Sequence, residues 1–182
     1  MSDTSVSRYP TLLRLSHWMM ALVIIGLIIS GLYMADLPRD AANRSDFYHW
    51  HKSFGALMML AIFIRLFIRV RSLVPAPPAV LKPWERKASH AGHHSLYLLM
   101  LLVPASGWLM SATYNGSPGI NFFWTTLPGL FPHSESLFQL GKALHAPLGY
   151  AIAAVVVVHI AAVIKHRFFD KPEADVLPRM LP

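Results

Sequence analysis

Four apolar stretches, each close to the roughly 20 residues that a helix needs to cross a bilayer, constrain this chain more than any other feature. They cover residues 12–34, 51–70, 90–112 and 144–164. Within a hydrocarbon core only helices and closed barrels satisfy their own backbone polar groups. The expected fold is therefore all-α, an integral membrane four-helix bundle forming a single domain over residues 1–182. Composition agrees, with 14% charged residues against the roughly 25% of soluble domains. A net charge of +7 admits nucleic acid or an anionic membrane as partner. The basic residues sit beside the apolar runs and form no tract of their own, which selects membrane lipid and argues against nucleic acid. Arg8 and Arg14 ahead of the first run resemble the start of a signal peptide. That run is longer than a secretory apolar region and has no convincing small-residue cleavage site, so it reads as a retained span. Pro104 is expected to kink the third span.

Lysine and arginine placement sets the expected orientation. Arg8, Arg14, Arg65, Arg69, Arg71, Lys82, Arg86, Lys87, Lys165, Arg167, Lys171 and Arg179 fall on the side of the two termini. Only Arg39, Arg44, Lys52 and Lys142 fall on the other. Both termini are thus expected in the cytoplasm, with Trp18 and Trp84 at the inner interface and Trp50 and Trp124 at the outer one. The long outer connection carries Phe122, Phe123 and Trp124 among prolines and glycines. It reads as an interfacial loop, with a lid over a site as the alternative.

Ionisable groups inside a span are costly and functional by default. Among ten histidines, His17, His51, His145 and His159 fall within or at the edge of apolar runs. His145 and His159 are 14 positions apart, nearly four turns and about 21 Å of rise, so they share one face of the fourth span. In the expected topology His17 lies at the depth of His159, and His51 at the depth of His145. Two stacked bis-histidine sites follow, built from facing helices as bundle cofactor sites are. The chain has no cysteine, which excludes thiolate-ligated haem, cysteine-ligated iron–sulfur clusters and covalent haem attachment. Gly55 and Gly149 each stand four residues after a histidine, on the same helix face. A missing side chain there leaves room for a flat macrocycle, so two non-covalent b haems are the expected cofactors. The alternative use of such glycines is close helix packing.

Arg65 lies 14 positions after His51, near the level of the second pair, and could meet a haem propionate or snorkel to the interface. Arg14 is a weaker candidate of the same kind. His90 and His93 share a face near the inner start of the third span and could touch a propionate or a quinone, or simply sit at the interface. His166, seven positions beyond His159, is placed to donate to a quinone carbonyl. His49 and His51 do not share a face and make a poor metal pair, and His94 and His133 suggest nothing specific.

Several ordered pieces resemble the bacterial cytochrome b561 family. They are Leu15-Ser16-His17-Trp18, His51-Lys52-Ser53-Phe54-Gly55 with Arg65, and His90-Ala91-Gly92-His93. The set continues with His145-Ala146-Pro147-Leu148-Gly149-Tyr150, His159 and Leu177-Pro178-Arg179-Met180-Leu181-Pro182. The resemblance implies that the same four histidines ligate two b haems, near opposite faces of the bacterial inner membrane. It also implies quinone as electron acceptor. Short members with no added domain include a superoxide oxidase, which moves electrons from periplasmic superoxide to ubiquinone. This chain is of that length, so superoxide:ubiquinone oxidoreductase activity is the expected function. The alternative is a cytochrome b subunit passing electrons between a periplasmic redox protein and quinone. A transporter using histidines as proton relays is a third reading and predicts a colourless protein. Lys52 is a candidate for steering superoxide, although Asp36, Asp40, Asp46 and Glu135 cancel the outer cations overall. Six-coordinate bis-histidine iron has no open position, so outer-sphere electron transfer is expected and oxygen binding is not.

Overall fold

The computed structural model describes residues 6–181. Four helices follow one another: α1 Thr11–Asp36, α2 Arg44–Arg71, α3 Pro83–Thr113 and α4 Glu135–Phe168. Each helix extends beyond its apolar run, because the run marks the hydrocarbon and the helix continues into the interface. At 34 residues, α4 is about 50 Å long, well over the roughly 30 Å of hydrocarbon. Local chemistry sets the ends. Ser134 Oγ accepts from the Leu137 backbone N–H at 3.4 Å and caps α4. Pro83 opens α3, and Glu85 reaches back to the Lys82 N–H at 2.9 Å.

The helices form an antiparallel up-and-down bundle in which α3 packs most extensively on α4, while α1 and α4 meet sparsely. At Gly141 a Cβ would stand 2.8 Å from the Met110 backbone nitrogen. Close approach of α3 and α4 therefore needs glycine there. Met20, Met58, Ile62, Met100 and Ile152 make a small buried core at mid-depth. The outside of the bundle is apolar too, with Leu22 71%, Val70 82% and Val157 66% exposed. In water such a surface would aggregate; in lipid it is the solvated surface.

The expected loop between the third and fourth spans contains an antiparallel hairpin, the one sheet among the described residues. Strands β1 Ile120–Phe122 and β2 Thr125–Leu127 pair in the register Ile120 with Leu127. Gly119 enters the hairpin at φ 131°, where a Cβ would strike the Leu127 carbonyl. The hairpin lies on α2 and is bolted there by Ser53, which is fully buried. Ser53 Oγ accepts from the Phe123 N–H at 2.8 Å and donates to the His49 carbonyl at 2.9 Å. Phe123 sits against Phe54 and Trp50, while Trp124 is 94% exposed. The hairpin thus covers part of α2 through Phe123 and leaves Trp124 exposed.

At the opposite end the tail folds back over the start of α1. Arg14 donates to the Leu181 carbonyl at 2.6 Å, Trp18 to the Met180 carbonyl at 2.9 Å, and the Tyr9 N–H to the Arg179 carbonyl at 3.1 Å. Pro182, the last residue of the tail motif, lies outside the described residues.

Candidate functional site

Two histidine pairs stand at two levels of the bundle. His51 of α2 faces His145 of α4, with ring centres 6.2 Å apart and planes at 85°. His17 of α1 faces His159 of α4 at 6.3 Å and 64°. The Met/Ile core fills the space between the levels. Ile152 lies seven positions from each α4 histidine, about 10 Å along the axis in either direction.

An imidazole nitrogen binds a transition metal at about 2 Å and the ring centre lies about 1 Å farther, so two imidazoles across one metal stand about 6 Å apart. Both pairs meet that condition. Hydrogen bonding also fixes which nitrogen is free in the pair beside the hairpin. His145 Nδ1 lies 3.0 Å from the Val103 carbonyl oxygen, which only accepts. Nδ1 therefore carries the proton and Nε2 keeps its lone pair. His51 Nδ1 lies 3.0 Å from Ser30 Oγ, whose own proton goes to the Leu27 carbonyl at 3.2 Å. With its proton on Nδ1, His51 donates to Ser30 and keeps the Nε2 lone pair free, as His145 does.

The surroundings suit a flat, largely apolar ligand with anionic groups. A Cβ at Gly55 or Gly149 would meet nothing within 4 Å. A cleft of about 570 Å³ between α1 and α2 reaches His51 past Leu22, Gly26 and Phe54, within the size range of cofactor sites. Two buried donors, Arg14 Nε and Trp108 Nε1, have no partner among the described residues. Spare buried donors ask for an acceptor that the protein does not supply. The donor set, the room and the absence of cysteine fit haem.

The remaining candidates separate. Arg65 is buried and does not snorkel; its guanidinium donates to the Leu13 carbonyl and to Ser16 Oγ, each at 2.8 Å. It ties α2 to the turn of α1 that precedes His17. The terminal nitrogens of Arg14 bond Leu181 and Thr11, and its Nε is buried without a partner among the described residues. His93 comes to the second pair, its ring centre 5.6 Å from that of His159 and its Nδ1–H on the Ser89 carbonyl at 2.8 Å. His90 does not accompany it and stays exposed, its carbonyl taking the His94 Nδ1–H. Lys52 is half-buried beside His51 and has no ion pair among the described residues.

His166 belongs to a polar cluster at the termini side. Its Nδ1 bonds Asp170 Oδ2 at 2.6 Å, Lys165 Nζ bonds the same oxygen at 2.7 Å, and Lys165 also bonds Glu85 at 2.9 Å. The Lys165 hydrogen bond, helped by His166, holds the Asp170 carboxyl below its ordinary range. Glu85, His166 and Asp170 lie close enough together to hold a cation, but the Lys165 ammonium already sits on both carboxylates. Sequence reasoning named His166 and missed Glu85 and Asp170. The proline followed by glutamate at the start of α3 marked Glu85 as a helix-start residue; nothing in the pattern placed it beside α4.

Residues 8–182 match the family described as prokaryotic cytochrome b561. The chain belongs to that family. Membership makes it a membrane electron-transfer cytochrome and implies haem b. Among its relatives is cytochrome b561 homolog 2 of Escherichia coli strain K12, 34% identical over 178 residues, covering 96% of this chain and 91% of that protein. Another is a protein of Yersinia pestis named probable superoxide oxidase CybB, 28% identical over 172 residues and 91% of both chains. The cytochrome b561 match takes in all four paired histidines, from His17 to His159.

Proposed function

We propose that this cytochrome b561 protein holds two b haems and transfers electrons from superoxide to ubiquinone across the bacterial inner membrane. The observation that carries the reading is the stacking of two histidine pairs, each at axial-ligand separation, on opposite sides of one Met/Ile core. His51 and His145 hold one haem, His17 and His159 the other. Held by these histidine pairs, the group would supply one-electron chemistry. Two superoxide ions become two O₂, and one ubiquinone takes up the two electrons and two protons to become ubiquinol.

The chain's own residues position the reactants. Lys52, beside His51 and without an ion-pair partner among the described residues, attracts the anionic donor to the hairpin end. Ser53 and the hairpin cover the same end and keep water from it. At the other end His166, whose Nδ1–H is held by Asp170, offers an Nε2–H to a quinone carbonyl in its doubly protonated form, and His93 lines the approach to His159. The basic flanks of α2, α3 and α4 set the termini in the cytoplasm. Gly55 and Gly149 leave the ligand faces of α2 and α4 open, and Arg14 Nε offers a propionate donor.

The relative named for superoxide oxidation is the less similar of the two, which keeps the reading as a partner-docking cytochrome b subunit in contention. One experiment separates them. The purified chain is characterised by its reduced-minus-oxidised visible spectrum and haem content, then supplied with superoxide and a water-soluble ubiquinone analogue. Two low-spin b haems per chain and superoxide-dependent quinol formation are expected. Two haems without turnover would assign the donor to a partner protein; no haem, or one with an open coordination position, would end the two-site reading.

A further inference from the structure

The two histidines beside the hairpin are held by the same device, built twice. On α1, Ser30 takes the His51 Nδ1–H at 3.0 Å, and at the next residue, Gly31, a Cβ would press on His51 Cε1 at 3.3 Å. On α3, Ser106 lies 3.1 Å from His145 Nδ1, and a Cβ at Gly107 would stand 3.0 Å from His145 Cε1. In each case serine supplies an acceptor and the following glycine removes the methyl group that would push the ring away. Each serine is itself fixed, by donating to the carbonyl three residues earlier, Leu27 or Val103. The two cradles come from different helices and converge on facing rings whose planes stand at 85°. Nothing similar serves the other pair: among the described residues, the rings of His17 and His159 have no hydrogen-bond partner.

We propose that Ser30-Gly31 and Ser106-Gly107 are positioning cradles that orient His51 and His145 and set the potential of the one haem these two hold. The inference rests on the di-haem reading above. A ligand imidazole whose Nδ1–H is hydrogen-bonded is the more basic ligand, and second-shell bonds of this kind fix tautomer and ring plane together. More basic axial ligands stabilise ferric over ferrous iron, which lowers the reduction potential. The asymmetry in ligand hydrogen bonding therefore sets the two sites at different potentials, lower on the hairpin side. The cradles differ in one respect. His145 also bonds the Val103 carbonyl at 3.0 Å, whereas among the described residues His51 bonds Ser30 alone. Losing Ser30 therefore matters more than losing Ser106.

The test is a redox titration of the full-length, haem-loaded protein, with low-temperature EPR of the oxidised form. Ser30→Ala should raise the midpoint potential of one haem and leave the other unchanged, and Ser30→Thr, which keeps the hydroxyl, should restore it. Ser106→Ala should move the same haem in the same direction by less. Gly107→Ala should alter the low-spin EPR signal of that haem, because near-perpendicular rings give a strongly axial signal and a displaced ring does not. If Gly107→Ala fails to load haem, the serine series still decides. Unchanged potentials in Ser30→Ala, or equal shifts of both haems, would overturn the cradles while leaving the di-haem reading intact. An unaltered protein without two low-spin haems would overturn both.

Discussion

At the scale of single residues, Lys52 is the most exposed to test. Four cations and four carboxylates share the hairpin side, so the overall field there gives no net attraction. A local cation still acts on a small anion within about a Debye length, roughly 8–10 Å at ordinary ionic strength. Arg44 is engaged by the Leu37 carbonyl and the Tyr48 hydroxyl, whereas Lys52 stands beside His51 without an ion-pair partner among the described residues. Lys52→Ala is therefore expected to lower kcat/KM for superoxide several-fold and to flatten its dependence on salt, with kcat at saturation little changed. Stopped-flow turnover at two ionic strengths measures this. Unchanged salt dependence would remove Lys52 from the steering role. The four paired histidines were legible because charge in lipid is conspicuous and because 14 residues bring a helix back to the same face. Ser30 and Ser106 were not, since a serine in an apolar run ordinarily bonds its own preceding turn, and only packing shows that it also accepts from another helix.

At the scale of elements, the helices were legible and the hairpin was not. An apolar run locates the membrane part of a helix, so the expected spans fall inside the observed helices. The interfacial turns carry mixed composition and escaped that criterion, although Ser134 is an ordinary cap signal for α4. The hairpin escaped because three-residue strands with glycine and proline at both ends are indistinguishable from an aromatic loop until a partner surface is known. That surface is Ser53, already present in the family-like run His51–Gly55 but carrying no chemical signal of its own. Its hydroxyl satisfies the Phe123 N–H, and Phe123 takes the unusual φ of 52° that turns its ring onto Phe54. Ser53→Ala leaves that N–H without its partner, at a cost of about 1–3 kcal/mol. The expected result is faster amide exchange across residues 120–127 and faster proteolysis near Trp124, with the α1–α4 helices retaining their protection. Exchange mass spectrometry in detergent reads both. Equal protection in the variant would show that the aromatic contacts with Trp50 and Phe54 hold the hairpin by themselves.

At the scale of the whole molecule, the two ends differ in a way that gives the electron path a direction. The hairpin end presents a short aromatic lid, Lys52 and the hydrogen-bonded histidine pair. The termini end gathers Arg14, Arg65, His93, the Glu85–Lys165–Asp170–His166 cluster and the folded-back tail. Which end meets the cytoplasm decides whether the donor is periplasmic, and it can be measured directly because the chain contains no cysteine of its own. Twelve basic residues on the termini side against four on the hairpin side predict termini inside, since translocating short basic segments opposes the potential that retains them. Single cysteines introduced at Thr126, at the edge of the hairpin, and at Ser7, before α1, report the two ends separately. A membrane-impermeant maleimide applied to intact spheroplasts should label Thr126→Cys at once and Ser7→Cys only after permeabilisation. Both sites lie in segments without a role in holding the histidines, so haem content should stay at its unaltered level and certify the fold in each variant. The reverse labelling pattern would place His51 and Lys52 on the cytoplasmic side. A periplasmic anion would then have no access to them, and the superoxide reading would give way to a cytoplasmic donor protein with the same two haems.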